Sequence, residues 1–227
     1  MLNFETDTGA INIAPSEYVI AGWTGRDAAA IEHHIVELQA IGVPRPSTVP
    51  LYYRASASLL TQAATVQMLG PDSSGEVEPL LFYAQQQWWL TVSSDHTDRR
   101  VETYSVTVSK QLCPKPIARH AWRWQALANR QDDLQLRSRI FENGQWLDYQ
   151  RGLFAQIRPL QSLLDGYLQG RSPSEGLFIS CGTLAAIARA DGVAIRPAAQ
   201  MELEIYDPAQ SRAIVHRYAV EVLPLVS

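Results

Sequence analysis

The apolar residues of this chain arrive in short runs rich in β-branched and aromatic side chains, and no other feature limits its fold so strongly. Residues 51–53, 65–69, 77–83 and 88–92 are such runs, with turn-forming residues between them. They have the length and composition of strands rather than helices. Residues 11–13, 18–20, 134–141, 145–149, 177–180, 201–206 and 214–223 continue the pattern. Asn143-Gly144 marks a hairpin because both residues tolerate positive φ; residues 85–87 and Asp207-Pro208 mark two further turns. One helix is expected over residues 26–38, capped by Thr24, buried along Ala28, Ile31, Ile35 and Leu38, and stopped by Gly42 and Pro44. A second is expected over residues 159–168, closed by Gly170. Residues 99–112 fit a helix through Val101, Tyr104, Val108 and Leu112 and a strand through Tyr104, Val106 and Val108; the helix is the preferred reading. The sum is a mostly β (α+β) chain with few helices, a sandwich or roll rather than a parallel α/β sheet. It reads as one domain over residues 1–227, with residues 1–50 as an N-terminal strand–helix segment.

Composition narrows the partners. The 19 basic residues are scattered through a chain of net charge −4, without a cluster interleaved with aromatics. Neither nucleic acid nor an acidic membrane surface is favoured by such a distribution. Residues 1–7 lack a basic stretch followed by an apolar one, and no apolar run nears the roughly 20 residues of a membrane span. Cys113 and Cys181 have no metal-type spacing. A reducing cytoplasmic setting follows as the expectation.

The chemistry-bearing residues gather around one hairpin. Glu76 and Glu78 are two apart, so on a strand both carboxylates point to one side and can share a hard cation; a solvated strand face is the competing reading. Six of the seven residues from Ser93 to Arg99 are small or charged, directly after an apolar run. A turn centred on Gln85-Gln86 pairs positions summing to about 171, which sets Asp95 opposite Glu76. The competing reading is a polar loop in which Asp95 or Asp98 caps a helix. His34 and Glu37, three apart on the first helix, fit either a general base oriented by a carboxylate or a surface pair, with His33 adjacent. Lys110, Arg99 and Arg54 can meet a substrate carboxylate. Cys181-Gly182-Thr183 can hold a carboxylate through backbone N–H and the Thr183 hydroxyl. Trp88 and Trp89 read as core and interface.

In order and over nearly the whole chain, these pieces resemble the fumarylacetoacetate hydrolase superfamily. Gly25-Arg26-Asp27 with His34-x-x-Glu37 is similar to its Gly-x-Asn-Tyr-x-x-His-x-x-Glu segment, and residues 46–54 to its Pro-x-x-Pro-x-x-Phe-x-Lys. Glu76-x-Glu78 stands for its Glu-x-Glu, Ser94-Asp95-His96-Thr97-Asp98-Arg99 for its Asn-Asp-x-Ser-Ala-Arg, and residues 110–116 for a shortened Lys-Ser-x-Asp stretch. Asn143-Gly144 and Cys181-Gly182-Thr183-Leu184 resemble later turns. The chain departs in its short Glu-x-Glu to Asp interval, in Arg54 for Lys, in the missing Asp after the Lys-Ser pair, and in Ala199-Gln200 for a Gly-Asp turn. It further looks like a bacterial branch catalogued as a domain of unknown function, through residues 21–27, 94–99 and 109–111.

The resemblance implies metal ligands at Glu76, Glu78 and Asp95, holding Mg²⁺ (or Mn²⁺ or Ca²⁺). It implies a basic dyad at His34 and Glu37, a catalytic Lys110, and substrate contacts from Arg99, Thr183 and Arg54. It also implies a mixed β-sandwich roll with few short helices, a homodimer and a small 2-oxo acid substrate. The reaction would be C–C bond hydrolysis, decarboxylation, dehydration or hydration through a metal-stabilised enolate. The rival expectations are a non-catalytic small-molecule-binding protein that keeps the fold and an interaction module built on Trp88 and Trp89.

Overall fold

The computed structural model describes residues 1–40 and 45–226, with the side chains of His34, Glu37, Leu38 and Ala40 outside the description. Two sheets make the body of the protein. The first has six strands in the order Trp122–Arg123, Gln87–Ser94, Val77–Ala84, Leu177–Ser180, Glu17–Gly22, Leu51–Ala55. Only the Leu177–Ser180 and Glu17–Gly22 pair is parallel. The second has five, in the order Gln145–Leu153, Gln135–Glu142, Gln200–Asp207, Arg212–Leu223, Thr65–Leu69, parallel only at the last pair. This is the mostly β sandwich that the short apolar runs lead one to expect, with the mixed sheets that the resemblance implies.

Alternation along the central strands decides what each face carries. Val77, Leu81, Leu90, Val92 and Ile179 pack with Leu136, Ile140, Leu203, Ile205 and Ile214, so the two sheets bury one core between them. The opposite parity, Leu80, Phe82, Ala84, Trp89, Phe178 and Ile20, forms a second core. There the N-terminal hairpin of Leu2–Thr6 and Gly9–Ile13 adds Leu2, Phe4, Ile11 and Ile13. A strand covered on both sides reads as a continuous apolar run, which is why Val77–Ala84 shows no polar alternation along most of its length. Phe4, Phe82 and Phe178 stack in this second core, with Phe4 and Phe82 centroids 4.2 Å apart.

The hairpin register matches the expectation. Val77 faces Ser94 and Ala84 faces Gln87, around a turn of Gln85 and Gln86, both at positive φ; Gln87 belongs to the strand. Asn143 and Gly144 turn the second hairpin as expected, at φ 52° and 81°.

Helix α1 spans Ala28–Ala40, starting two residues later than expected. Asp27 rather than Thr24 caps it, its Oδ1 accepting from Ala29 N–H at 2.9 Å and Ala30 N–H at 3.1 Å. Ile35 is buried but Ala28 is exposed, so the apolar face is narrower than its spacing suggests. Gly42 and Pro44, the expected stop, lie outside the described residues. Residues 99–112 hold two short helices, α2 (Arg99–Glu102) and α3 (Val106–Gln111). The helical reading is right in type but not in facing: Tyr104, Val108 and Leu112 are exposed, while Ser109 and Lys110 are buried. Helix α4, Leu160–Leu168, buries Leu160, Leu163 and Leu164. Among the described residues no helix is long and apolar enough to cross a membrane.

Candidate metal centre

At one end of the second core the apolar parity of the Val77–Ala84 strand gives way to acid. Ala84, Phe82 and Leu80 are followed on the same side by Glu78 and then, just beyond the strand, by Glu76. The facing strand changes in step: Trp89, Thr91 and Ser93 share a side, and Asp95 extends it, its backbone N–H donating to the Glu76 carbonyl at 2.9 Å. Glu76, Glu78 and Asp95 each offer a carboxylate oxygen, and these atoms all lie within 4.8 Å of one another. Both expectations for the polar loop hold together, because Asp98 caps α2 by accepting from Val101 N–H at 2.9 Å while Asp95 joins the cluster.

The chain then folds back over these acids. Thr97–Asp98 pairs with Ser73–Ser74, α2 and α3 make a U-turn, and Lys110 in the last turn of α3 comes down on Asp95 Oδ2. Its ammonium also lies 5.8 Å from the centre of the Tyr53 ring. After α3, Lys115–Pro116 runs parallel to Leu60–Thr61. The Lys115 side chain is fully buried, donating to Asp95 Oδ1 at 2.8 Å and to the His96 carbonyl. Arg99 holds the outer acid: Nη2 is 3.1 Å from Glu76 Oε1, Nε donates to Ser74 at 2.7 Å, and Nη1 to Glu102 at 2.9 Å.

Glu78 stands apart. It is 2% exposed, and among the described residues no cationic side chain forms an ion pair with it. Among the described residues its carboxylate accepts from Gly182 N–H alone, at Oε2 and 3.2 Å. Gly182 has φ +93°, and a Cβ there would meet Thr24 Oγ1 at 1.6 Å, so only glycine lets this backbone N–H reach the acid.

The electrostatics divide accordingly. Burial, then the charge of Asp95, raises the Glu78 carboxyl well above its ordinary range. Burial opposes ionisation of Asp95 too, but Lys110 and Lys115 outweigh it and hold that carboxyl far below its usual value. Lys110 is raised, burial being overcome by Asp95 and Glu76, whereas burial wins at Lys115 and lowers it. His96 is pushed down to about 3 by burial and Lys115. It stays neutral between Tyr218 Oη and Ser73 Oγ, each at 3.0 Å.

Three hard oxygen donors, one a buried acid that forms no ion pair among the described residues, make a set suited to a divalent cation such as Mg²⁺, Mn²⁺ or Ca²⁺. Residues 21–218 match the family described as "Protein of unknown function (DUF2848)". The chain belongs to that family. Comparison with curated proteins gives no match. Among solved structures it is similar to 2-keto-3-deoxy-D-arabinonate dehydratase complexed with magnesium and 2,5-dioxopentanoate. The TM-score is 0.62 at 11% identity, covering 93% of this chain and 74% of that one. The apo form of that dehydratase gives TM-score 0.63 at 15% identity, covering 92% and 74%. The 4-oxalocrotonate decarboxylase from Pseudomonas putida G7, complexed with calcium and acetate, gives 0.53 at 14%, covering 93% and 78%. The DUF2848 chain thus has a fold of the fumarylacetoacetate hydrolase type, as its motifs implied.

The other expected site residues are placed differently. Arg54 lies on the opposite face of Leu51–Ala55 from Tyr53. It pairs with Glu17 at 3.0 Å and donates to Tyr167 Oη at 3.2 Å, away from the acids. The Thr183 hydroxyl donates to the Val77 carbonyl at 2.8 Å and accepts from Gln150 Nε2 at 2.7 Å, tying its loop to the acidic strand. In the Cys181-Gly182-Thr183 turn the Gly182 N–H is taken by the protein's own Glu78 carboxylate, and the Thr183 hydroxyl is not part of that contact. Trp89 is fully buried and Trp88 nearly so, both in the core. The side chains of His34 and Glu37 lie outside the described residues. Lys115 went unassigned at the sequence level. A lysine between two prolines carries no local signal; only the return of the chain past Ser93, through the Ser93–Ile117 bridge, brings it to Asp95.

Proposed function

We propose that this protein is a divalent-cation-dependent enzyme acting on a small 2-oxo acid. The reaction makes or breaks a bond close to the keto group, by C–C hydrolysis, decarboxylation, or loss or gain of water. The observation that carries this reading is the convergence of Glu76, Glu78 and Asp95 on one point, with Glu78 buried and, among the described residues, in no ion pair. Structures of the same fold that hold magnesium with a dioxo acid, or calcium with acetate, support it.

Glu76, Glu78 and Asp95 would hold Mg²⁺ or Mn²⁺. Bound there, the cation supplies Lewis acidity to the keto and carboxylate oxygens of the substrate. Lys110, at the edge of the niche, offers its charge to the substrate carboxylate, and Arg99 keeps Glu76 turned inward. The buried sheet floor, where Tyr18, Ser180 and Ser93 hydroxyls link at 3.0 and 3.2 Å, keeps bulk water from the acids. His34 and Glu37, one turn apart on α1, take or return the proton at the carbon beside the keto group.

Thermal unfolding with Mg²⁺ and oxalate, a planar mimic of a 2-oxo acid, tests the proposal. A ligand at about 100 times its Kd adds about 2.7 kcal/mol. Oxalate should stabilise the protein only when Mg²⁺ is present, and Glu76→Ala should abolish both shifts. Stabilisation by oxalate alone, or equal shifts in the variant, would count against it.

A further inference from the structure

Each carboxylate of the cluster has one oxygen already engaged. Glu76 Oε1 is 3.1 Å from Arg99 Nη2, Glu78 Oε2 accepts from Gly182 N–H at 3.2 Å, and Asp95 Oδ1 accepts from Lys115 Nζ at 2.8 Å. Asp95 is the exceptional acid, because a second lysine, Lys110, sits on its other oxygen. The two lysines differ in their freedom. The Lys115 side chain is 0% exposed, its backbone is fixed between Pro114 and Pro116 against Leu60–Thr61, and its ammonium has a second acceptor in the His96 carbonyl. The Lys110 side chain is 9% exposed, rides on a six-residue helix, and among the described residues hydrogen-bonds to Asp95 alone. Oδ2 is therefore the oxygen that Asp95 could release to a cation, with Lys110 giving way and Lys115 keeping Oδ1.

We infer that Lys115 is a positioning residue that sets the cation preference of this site. By holding Oδ1 it confines Asp95 to a single-oxygen ligand, which suits a small octahedral cation and disfavours Ca²⁺. Mg²⁺ takes six oxygens in near-ideal geometry, whereas Ca²⁺ takes up to eight and gains from carboxylates that grip with both oxygens. Gly182 N–H restrains Glu78 Oε2 and the Arg99 guanidinium places its charge 3.1 Å from Glu76 Oε1, so the other two acids are biased the same way. The inference rests on the proposed cation site and adds to it the residue that chooses the ion.

The test is calorimetric titration of the metal-free protein with Mg²⁺, Mn²⁺ and Ca²⁺ separately, in wild type, Lys115→Met and Lys115→Gln. Wild type should bind Mn²⁺ more tightly than Ca²⁺. Lys115→Met should raise the affinity for Ca²⁺ relative to Mg²⁺ by about tenfold, the low end of what residues supporting metal ligands carry. Lys115→Gln keeps an N–H donor for Oδ1 without the charge and should stay near the wild-type ratio. An unchanged ratio in Lys115→Met, or an equal shift in Lys115→Gln, overturns the positioning role. If Lys115→Met does not fold, Arg99→Met frees Glu76 Oε1 in the same way and should move the ratio in the same direction; no movement overturns the inference. Wild type that binds none of the three ions removes the cation site itself, a different failure from a site whose selectivity ignores Lys115.

Discussion

Asp95 and Glu202 each sit between two basic side chains, yet the two clusters have opposite surroundings. Glu202 lies on the outer face of the five-stranded sheet between Arg139 and Arg217, whose side chains are 46% and 53% exposed. Asp95 lies between Lys110 and Lys115, exposed by 9% and 0%. Glu202 is itself only 10% exposed, but its partners reach into solvent, where water and salt screen the charges and the pairs add little. Inside, each ion has given up its hydration, and its partners must replace it. A carboxylate gripped by two cations therefore does not by itself mark a site. What marks one is the third acid, Glu78, buried beside Asp95 and, among the described residues, in no ion pair.

The contrast can be broken most forcefully at Asp95. Asp95→Ala leaves two buried ammonium groups without their acid and should cost about 3–5 kcal/mol in urea unfolding. A loss below about 1 kcal/mol, the range of exposed pairs, would mean that the two clusters are energetically alike.

Glu78 sharpens the comparison through pH. Its folded-state carboxyl is raised, so the stability it contributes to the cation-free protein is full below the ordinary carboxylate value. That contribution is lost as pH climbs through the raised one. A cation must displace this proton, so affinity should rise with pH by up to about tenfold per unit through that window. An affinity that is flat with pH would contradict the raised carboxyl.

Asp207 gives an intermediate case, buried but held by Arg130 and Arg212 at the rim. The hydrogen bond from Arg130, more than the opposing burial, pushes its carboxyl down to about 2. Its contribution is thus present above the ordinary carboxylate range and lost as pH falls through about 2. Asp207→Asn should cost about 1–2 kcal/mol at neutral pH, and the gap from wild type should close as pH falls from about 4 to about 2. The smallest effect belongs to Glu202→Gln, about 0.5–1 kcal/mol and fading with added salt.

Much of this was legible in the sequence wherever the determining contact is local. The Gln85-Gln86 turn fixes Glu76 opposite Asp95 because a two-residue hairpin leaves no freedom of register. The strands Thr65–Leu69 and Leu177–Ser180 were bounded as found, each being an apolar run between turn residues. The insertion of Leu177–Ser180 between Val77–Ala84 and Glu17–Gly22 was not legible, since it joins segments far apart in sequence and both neighbours are equally apolar. Arg54 matched a motif by spacing, but strand alternation turns it to the face opposite Tyr53, towards Glu17. The apolar spacing of Tyr104, Val108 and Leu112 located helix without locating its buried face, because α3 covers a polar cluster rather than a core and buries Ser109 and Lys110 instead. Thr24 looked like a cap by type, but its place is against Gly182, whose N–H reaches Glu78.

The central claim is that Glu76, Glu78 and Asp95 together bind one divalent cation, and calorimetric titration with Mn²⁺ addresses it without assuming a substrate. Wild type should take up one equivalent with release of a proton, while Glu78→Gln, which keeps the shape of the side chain but cannot ionise, should show no saturable heat. Saturable binding of equal affinity in the two proteins would contradict the account.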